Sequence, residues 1–189
     1  MNRTTETVQV IRSRRKTISV EIRPGRGVIV RAPLQCPDRE IRRVLEEKRD
    51  WIETHLARMR EREALIQAQP EMTWEELEQL AEEACRQLPQ RLGYWADRMG
   101  LRYGRVTIRN QKTRWGSCST KKNINLNVML MLCPQEVQDY VLVHELCHLR
   151  EMNHSGRFWA EVERVLPEYR KARAWLKKNG AAVLARMPG

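Results

Sequence analysis

The sequence predicts an α+β fold, and three observations carry that prediction. Short β-branched runs punctuated by Pro and Gly open the chain, segments of helical period fill most of the remainder, and two more strand-like runs lie between helices near the middle. At 189 residues the chain is long enough for one good core, or for one core with a small appendage. It divides into residues 1–70, a β-hairpin region with a helix and a connector, and a larger part over residues 71–189.

In the first part, residues 8–11, 18–22 and 27–30 read as strands, with Pro24-Gly25 turning the chain between the last two. Pro37-Asp38 opens a helix carrying Ile41, Val44, Leu45, Trp51, Ile52 and Leu56, and its charge-rich continuation over 58–69 is the expected connector. His55 falls here as an ordinary helical residue. The second part starts sharply: Thr73 and Glu76 form a capping box, and Met72 and Leu77 are placed as a hydrophobic staple. Trp74, Leu77, Ala81, Cys85, Leu88, Leu92, Trp95 and Met99 keep a helical period, so their aromatic members read as core. Pro89 lacks a donor and is expected to kink or divide this helix, and Gly100 to end it. Strand-like segments follow at 105–110 and 123–127, joined through Trp115-Gly116-Ser117. Ser155 then caps a helix through Phe158, Val162 and Leu166, and a last helix carries Tyr169, Ala172 and Leu176 and stops at Asn179-Gly180.

Between these lies the most informative segment. His144-Glu145-Leu146-Cys147-His148, with His154 six residues on, gathers three of the four histidines of the chain. On a helix residues four apart lie about 40° apart around the axis, so His144 and His148 can aim at one point while Glu145 sits beside it without being a ligand. Neutral imidazole suits Zn²⁺, and three protein ligands leave a position for water, the mark of a catalytic site. Zinc brings the pKa of that water to about 7, and a neighbouring carboxylate can take its proton and return it to a leaving amine. The pattern therefore points to zinc on His144, His148 and His154 with Glu145 as general acid/base. The plainer reading, a chance run of satisfied core histidines, is weakened by the third His. Val137 and Val141 lead into the His face while Leu142, Leu146 and Leu149 line another, so this helix, expected over 134–150 from Pro134, should be central.

Cys36, Cys85, Cys118, Cys133 and Cys147 form no Cys-x-x-Cys pair and read as reduced thiols, Cys147 as packing rather than a ligand. No run approaches about eighteen apolar residues and no apolar signal core opens the chain, so a cytoplasmic protein with no membrane partner is expected. The net charge of +11 is uneven: residues 71–99 carry three basic and seven acidic residues, whereas 100–134 hold seven Lys/Arg and no acid. That tract is either a solvated face or a track for nucleic acid or a nucleotide.

The run Arg114-Trp115-Gly116-Ser117-Cys118, then Ile124-Asn125-Leu126-Asn127, Asp139-Tyr140-Val141, the His-Glu-x-x-His segment through Leu149, and Asn153-His154-Ser155 with Phe158-Trp159 resembles the YgjP-like zinc metallopeptidases, relatives of the SprT and WLM groups. The resemblance implies a zincin-like catalytic domain over 71–189, with the same three ligands and the same acid/base, and the basic tract bordering its cleft. Metzincins share the spacing to the third His but have Gly where Glu151 stands here, so the turn must be made otherwise, with Asn153 in a left-handed conformation as the expected device. The reading is a zinc metallopeptidase acting on a peptide or protein. A strand edge at 124–127 can align that peptide by backbone pairing, and Arg114 and Asn125 are the candidates for substrate binding at the developing oxyanion. The alternatives are a zinc-dependent nucleotide or phosphoanhydride hydrolase, disfavoured because no carboxylate cluster offers a second metal site, and a nucleic-acid-associated protease of SprT type.

Overall fold

The structure, a computed structural model, describes residues 8–189. Two compact units make up the chain, Met1–Ala64 and Leu65–Gly189.

In the first unit, β1 (Val8–Ser13), β2 (Ser19–Arg23) and β3 (Gly27–Pro33) form a sheet of order β1-β3-β2. β2 and β3 are the expected antiparallel hairpin, closed by Arg26 N–H donating to the Arg23 carbonyl with Gly25 at φ 69°, which follows from Pro then Gly at the centre of a type II turn. β1 instead runs parallel to β3. Alternate residues Val28, Val30 and Ala32 are buried against Ile41 and Leu56. The single helix expected here is two, α1 (Asp38–Glu47) and α2 (Arg49–Gln67), broken at Lys48 (φ −103°, ψ 12°). Ile41 before the break and Leu56 after it enter the same core. The expected connector is helical, and the division between units falls inside α2.

The second unit opens with α3 (Trp74–Met99), capped by Thr73 and Glu76 through reciprocal hydrogen bonds. The helix runs unbroken through Pro89. The proline removes the donor for the Cys85 carbonyl, but Cys85 is exposed to water while Leu88, Leu92 and Ala96 bury the other side. Gly100 ends α3 in a left-handed conformation. β4 (Val106–Arg109), β5 (Gly116–Cys118) and β6 (Ile124–Asn127) make a sheet of order β4-β6-β5. This corrects the expectation of an edge at 124–127: β6 is the central strand, parallel to β4 and antiparallel to β5. β5 is a paired strand where the sequence suggests only a link. A 3-10 helix, Val128–Leu132, leads to α4 (Gln135–Cys147), central as expected and buried along most of its length. α5 (Gly156–Val165) and α6 (Tyr169–Ala185) complete the fold. α6 does not stop at Gly180, because that glycine is buried against Trp115: a Cβ there would lie 3.2 Å from Trp115 Cζ2. The missing side chain is a packing requirement and not a stop signal. No helix among the described residues is long and apolar enough to cross a membrane, and the five cysteines are unpaired.

Candidate metal centre

α4 places His144 and His148 one turn apart, but it ends at Cys147, earlier than the expected Arg150. Its last turn tightens: Leu149 N–H bonds to the Leu146 carbonyl, and Arg150 and Glu151 both donate to Cys147. Ser155 N–H then reaches back to the Asn153 carbonyl at 2.7 Å. These bonds make the turn that Gly makes in metzincins. Asn153 is not left-handed; the non-glycine residue at positive φ among those described is Lys122, at 62°. Ser155 Oγ accepts the Phe158 N–H to start α5, leaving His154 just outside the helix where its ring stacks on Trp159, 5.7 Å away.

One nitrogen from each of His144, His148 and His154 falls within 4.8 Å of the others, and the Nε2 atoms of His144 and His154 are 3.0 Å apart. A tetrahedral zinc site with nitrogens at ~2.05 Å needs neighbouring nitrogens about 3.3 Å apart, near the spacing of the His144–His154 pair, and three imidazoles are a donor set that zinc takes. His148 Nδ1 lies 3.1 Å from the Glu151 carbonyl. It must donate there, which leaves the Nε2 lone pair free. Burial, with His148, His154 and Arg173 nearby, pushes the His144 pKa down to about 3, and burial lowers His148 as well. Both rings are thus in the neutral form that binds metal. Phe158, fully buried, stands 4.6–4.8 Å from all three rings.

The family described as YgjP-like, metallopeptidase domain matches residues 16–80 and 67–179. The chain belongs to the YgjP-like metallopeptidase family. Two solved metallopeptidase zymogens are also similar: abylysin of Pyrococcus abyssi at 31% identity and jannalysin of Methanocaldococcus jannaschii at 20%, each with a TM-score of 0.43 over 48% of this chain and 93% of the other. No curated protein matches.

In this YgjP-like metallopeptidase, Glu145 is 5% exposed, and burial raises its pKa to about 8. Its carboxyl lies against the backbone of β5. A Cβ built on Gly116 would fall 2.7 Å from Glu145 Oε1 and 2.9 Å from Cδ, so only glycine lets the strand and the acid approach this closely. Trp115 is seated against Gly180 of α6, and Asn127, 1% exposed, donates to the Gln111 and Arg114 carbonyls. These contacts fix the strand that backs Glu145. Sequence reasoning missed Gly116, Gly180 and Phe158 as site residues; the Phe158 signal was its i+4 spacing from His154.

Neither Arg114 nor Asn125 hydrogen-bonds to this cluster among the described residues. Arg114 is exposed, and the contact that defines its position is made by its carbonyl. Asn125 pairs in register with Ser117 and hydrogen-bonds to it, whereas Gly116 pairs with Leu126. Because strand residues alternate between faces, Asn125 lies on the side of the sheet opposite Glu145. Cys147 is fully buried in the core and outside the His cluster, and His55 bonds to the Trp51 carbonyl within α2.

Proposed function

We propose that the chain is a zinc-dependent peptidase in which His144, His148 and His154 hold the ion and Glu145 is general base and then general acid. The observation that carries this is the convergence of three imidazole nitrogens within 4.8 Å beside a buried carboxyl. When bound, zinc supplies the Lewis acidity that polarises a scissile carbonyl and makes water acidic near neutral pH. Glu145, dry and backed by Gly116, takes the proton of the attacking water and delivers it to the leaving amine. A carboxyl titrating near working pH suits both transfers. Along β5, Trp115 C=O and Ser119 N–H bond to the β6 side. By alternation Gly116 and Cys118 turn their N–H and C=O groups to the open edge. An extended peptide pairing there brings its scissile bond to Glu145. This edge takes the aligning role first given to 124–127, and the oxyanion roles of Arg114 and Asn125 gain no support.

Purified protein should hold about one zinc per chain, lost in His144→Ala and His148→Ala. Glu145→Gln should keep zinc and lose more than about a hundredfold in peptide hydrolysis. Full zinc in both His variants, by elemental analysis, or an active Glu145→Gln would overturn the assignment. Family membership favours peptide over phosphate bonds, and the His triad is the one metal-capable cluster of His, Cys and acids among the described residues.

A second reading, protease action on nucleic-acid-bound proteins, is favoured by the tract over 101–134. Arg102, Arg105, Arg109, Lys112, Arg114, Lys121 and Lys122 are all exposed, and none forms an ion pair among the described residues. The unpaired thiols support a reducing, cytoplasmic setting.

A further inference from the structure

On α6, some basic side chains are occupied. Arg170 pairs with Glu163 and Lys171 with Glu168. Arg173 is different. It is exposed, no carboxylate among the described residues pairs with it, and its guanidinium lies 4.5 Å over the ring of Trp159. Trp159 stacks on His154 and, at 5.5 Å, on Tyr169; Tyr169 stacks on Tyr140, whose edge meets His144 at 5.8 Å. These rings form an apolar wall along the His144–His154 side of the cluster, with Arg173 at its rim. Stacking covers one face of a guanidinium and leaves its in-plane N–H fork free, the geometry that matches a carboxylate.

We propose that Arg173 is a specificity-determining residue that binds a carboxylate of the peptide substrate beside the histidine cluster. The carboxylate is either the substrate's C-terminus or an acidic side chain. The inference rests on the three histidines holding zinc, and the test separates the two. Zinc content is measured together with calorimetric affinity for acetohydroxamate, which reports the metal alone, and for the monohydroxamates of succinic, adipic and suberic acid, which add a carboxylate at increasing reach. In the wild type at least one acid-bearing probe should bind about ten- to a hundredfold more tightly than acetohydroxamate, as a charge-assisted pair allows. Arg173→Met, which keeps the apolar contact with Trp159, should abolish that gain while leaving zinc content and acetohydroxamate affinity unchanged. Arg173→Lys, keeping charge without the fork, should restore part of it. A free-acid peptide, its C-terminal amide and its Asp→Asn version then tell the two sources apart: the carboxylate that matters raises KM when removed, in the wild type only. If no probe gains from its carboxylate, or Arg173→Met retains the gain, the inference falls and the metal site stands. A wild-type chain that binds neither zinc nor acetohydroxamate overturns the metal site and this inference together.

Discussion

Burial and chemistry pull Glu145 in opposite directions, and pH exposes the conflict. Its folded pKa, about 8, lies above the ordinary 4.5, so between those values the folded chain keeps a proton that the unfolded chain releases. The stability tied to this group is complete below pH 4.5 and lost as pH rises through 8. In chelator-treated protein, Glu145→Gln should therefore gain stability over wild type as pH rises through that window, as read by thermal unfolding; a difference that stays constant with pH would refute the burial argument. His144 acts oppositely: its folded pKa of about 3 against 6.5 means stability is lost as pH falls through that range. Gly116 carries the second prediction at this level. Gly116→Ala should hold zinc yet lose about a hundredfold in kcat with little change in KM, because the methyl displaces the carboxyl by about an ångström. Wild-type kcat in that variant would show the contact to be dispensable. The three histidines and Glu145 were legible because their spacing is local to one helix and the turn after it. Gly116 was not, since nothing in sequence tells that position 116 meets position 145.

Among the elements, β5 was hidden because three residues are too few to show alternation, and missing it misplaced the open edge by one strand. α6 was cut short at Gly180 for a related reason: a glycine that stops a helix and one that makes room for a distant indole look alike in sequence. Gly180→Leu should cost about 1–3 kcal/mol by overpacking against Trp115, measurable by urea unfolding of zinc-free protein. A neutral result would mean that Trp115 is not held by this helix. The capping box at Thr73, the Pro24-Gly25 turn and the Ser155 cap were all read correctly, because each is settled within four residues.

For the molecule as a whole, acids outnumber bases in α3 while the tract around β4 and β5 holds bases and no acid, a separation visible in sequence, whereas the exposure of those bases and their lack of ion-pair partners needed the fold. If the tract receives a polyanion, single- or double-stranded nucleic acid should bind at low ionic strength and weaken steeply with added salt. Lys112→Glu with Lys121→Glu should reduce both the affinity and the salt slope while zinc content stays the same. Absence of binding at low salt would leave the tract as a solvated face. The seating of Trp115 on Gly180 bears finally on when the enzyme becomes dangerous to its surroundings. A ribosome releases the histidine helix and β5 before α6, so a nascent chain can already gather its ligands while Trp115 has no seat and Glu145 no firm backing. Under the proposed zinc chemistry, proteolytic power should then be withheld from the growing chain until α6 has emerged: a chain arrested before Gly180 should bind zinc but cleave nothing.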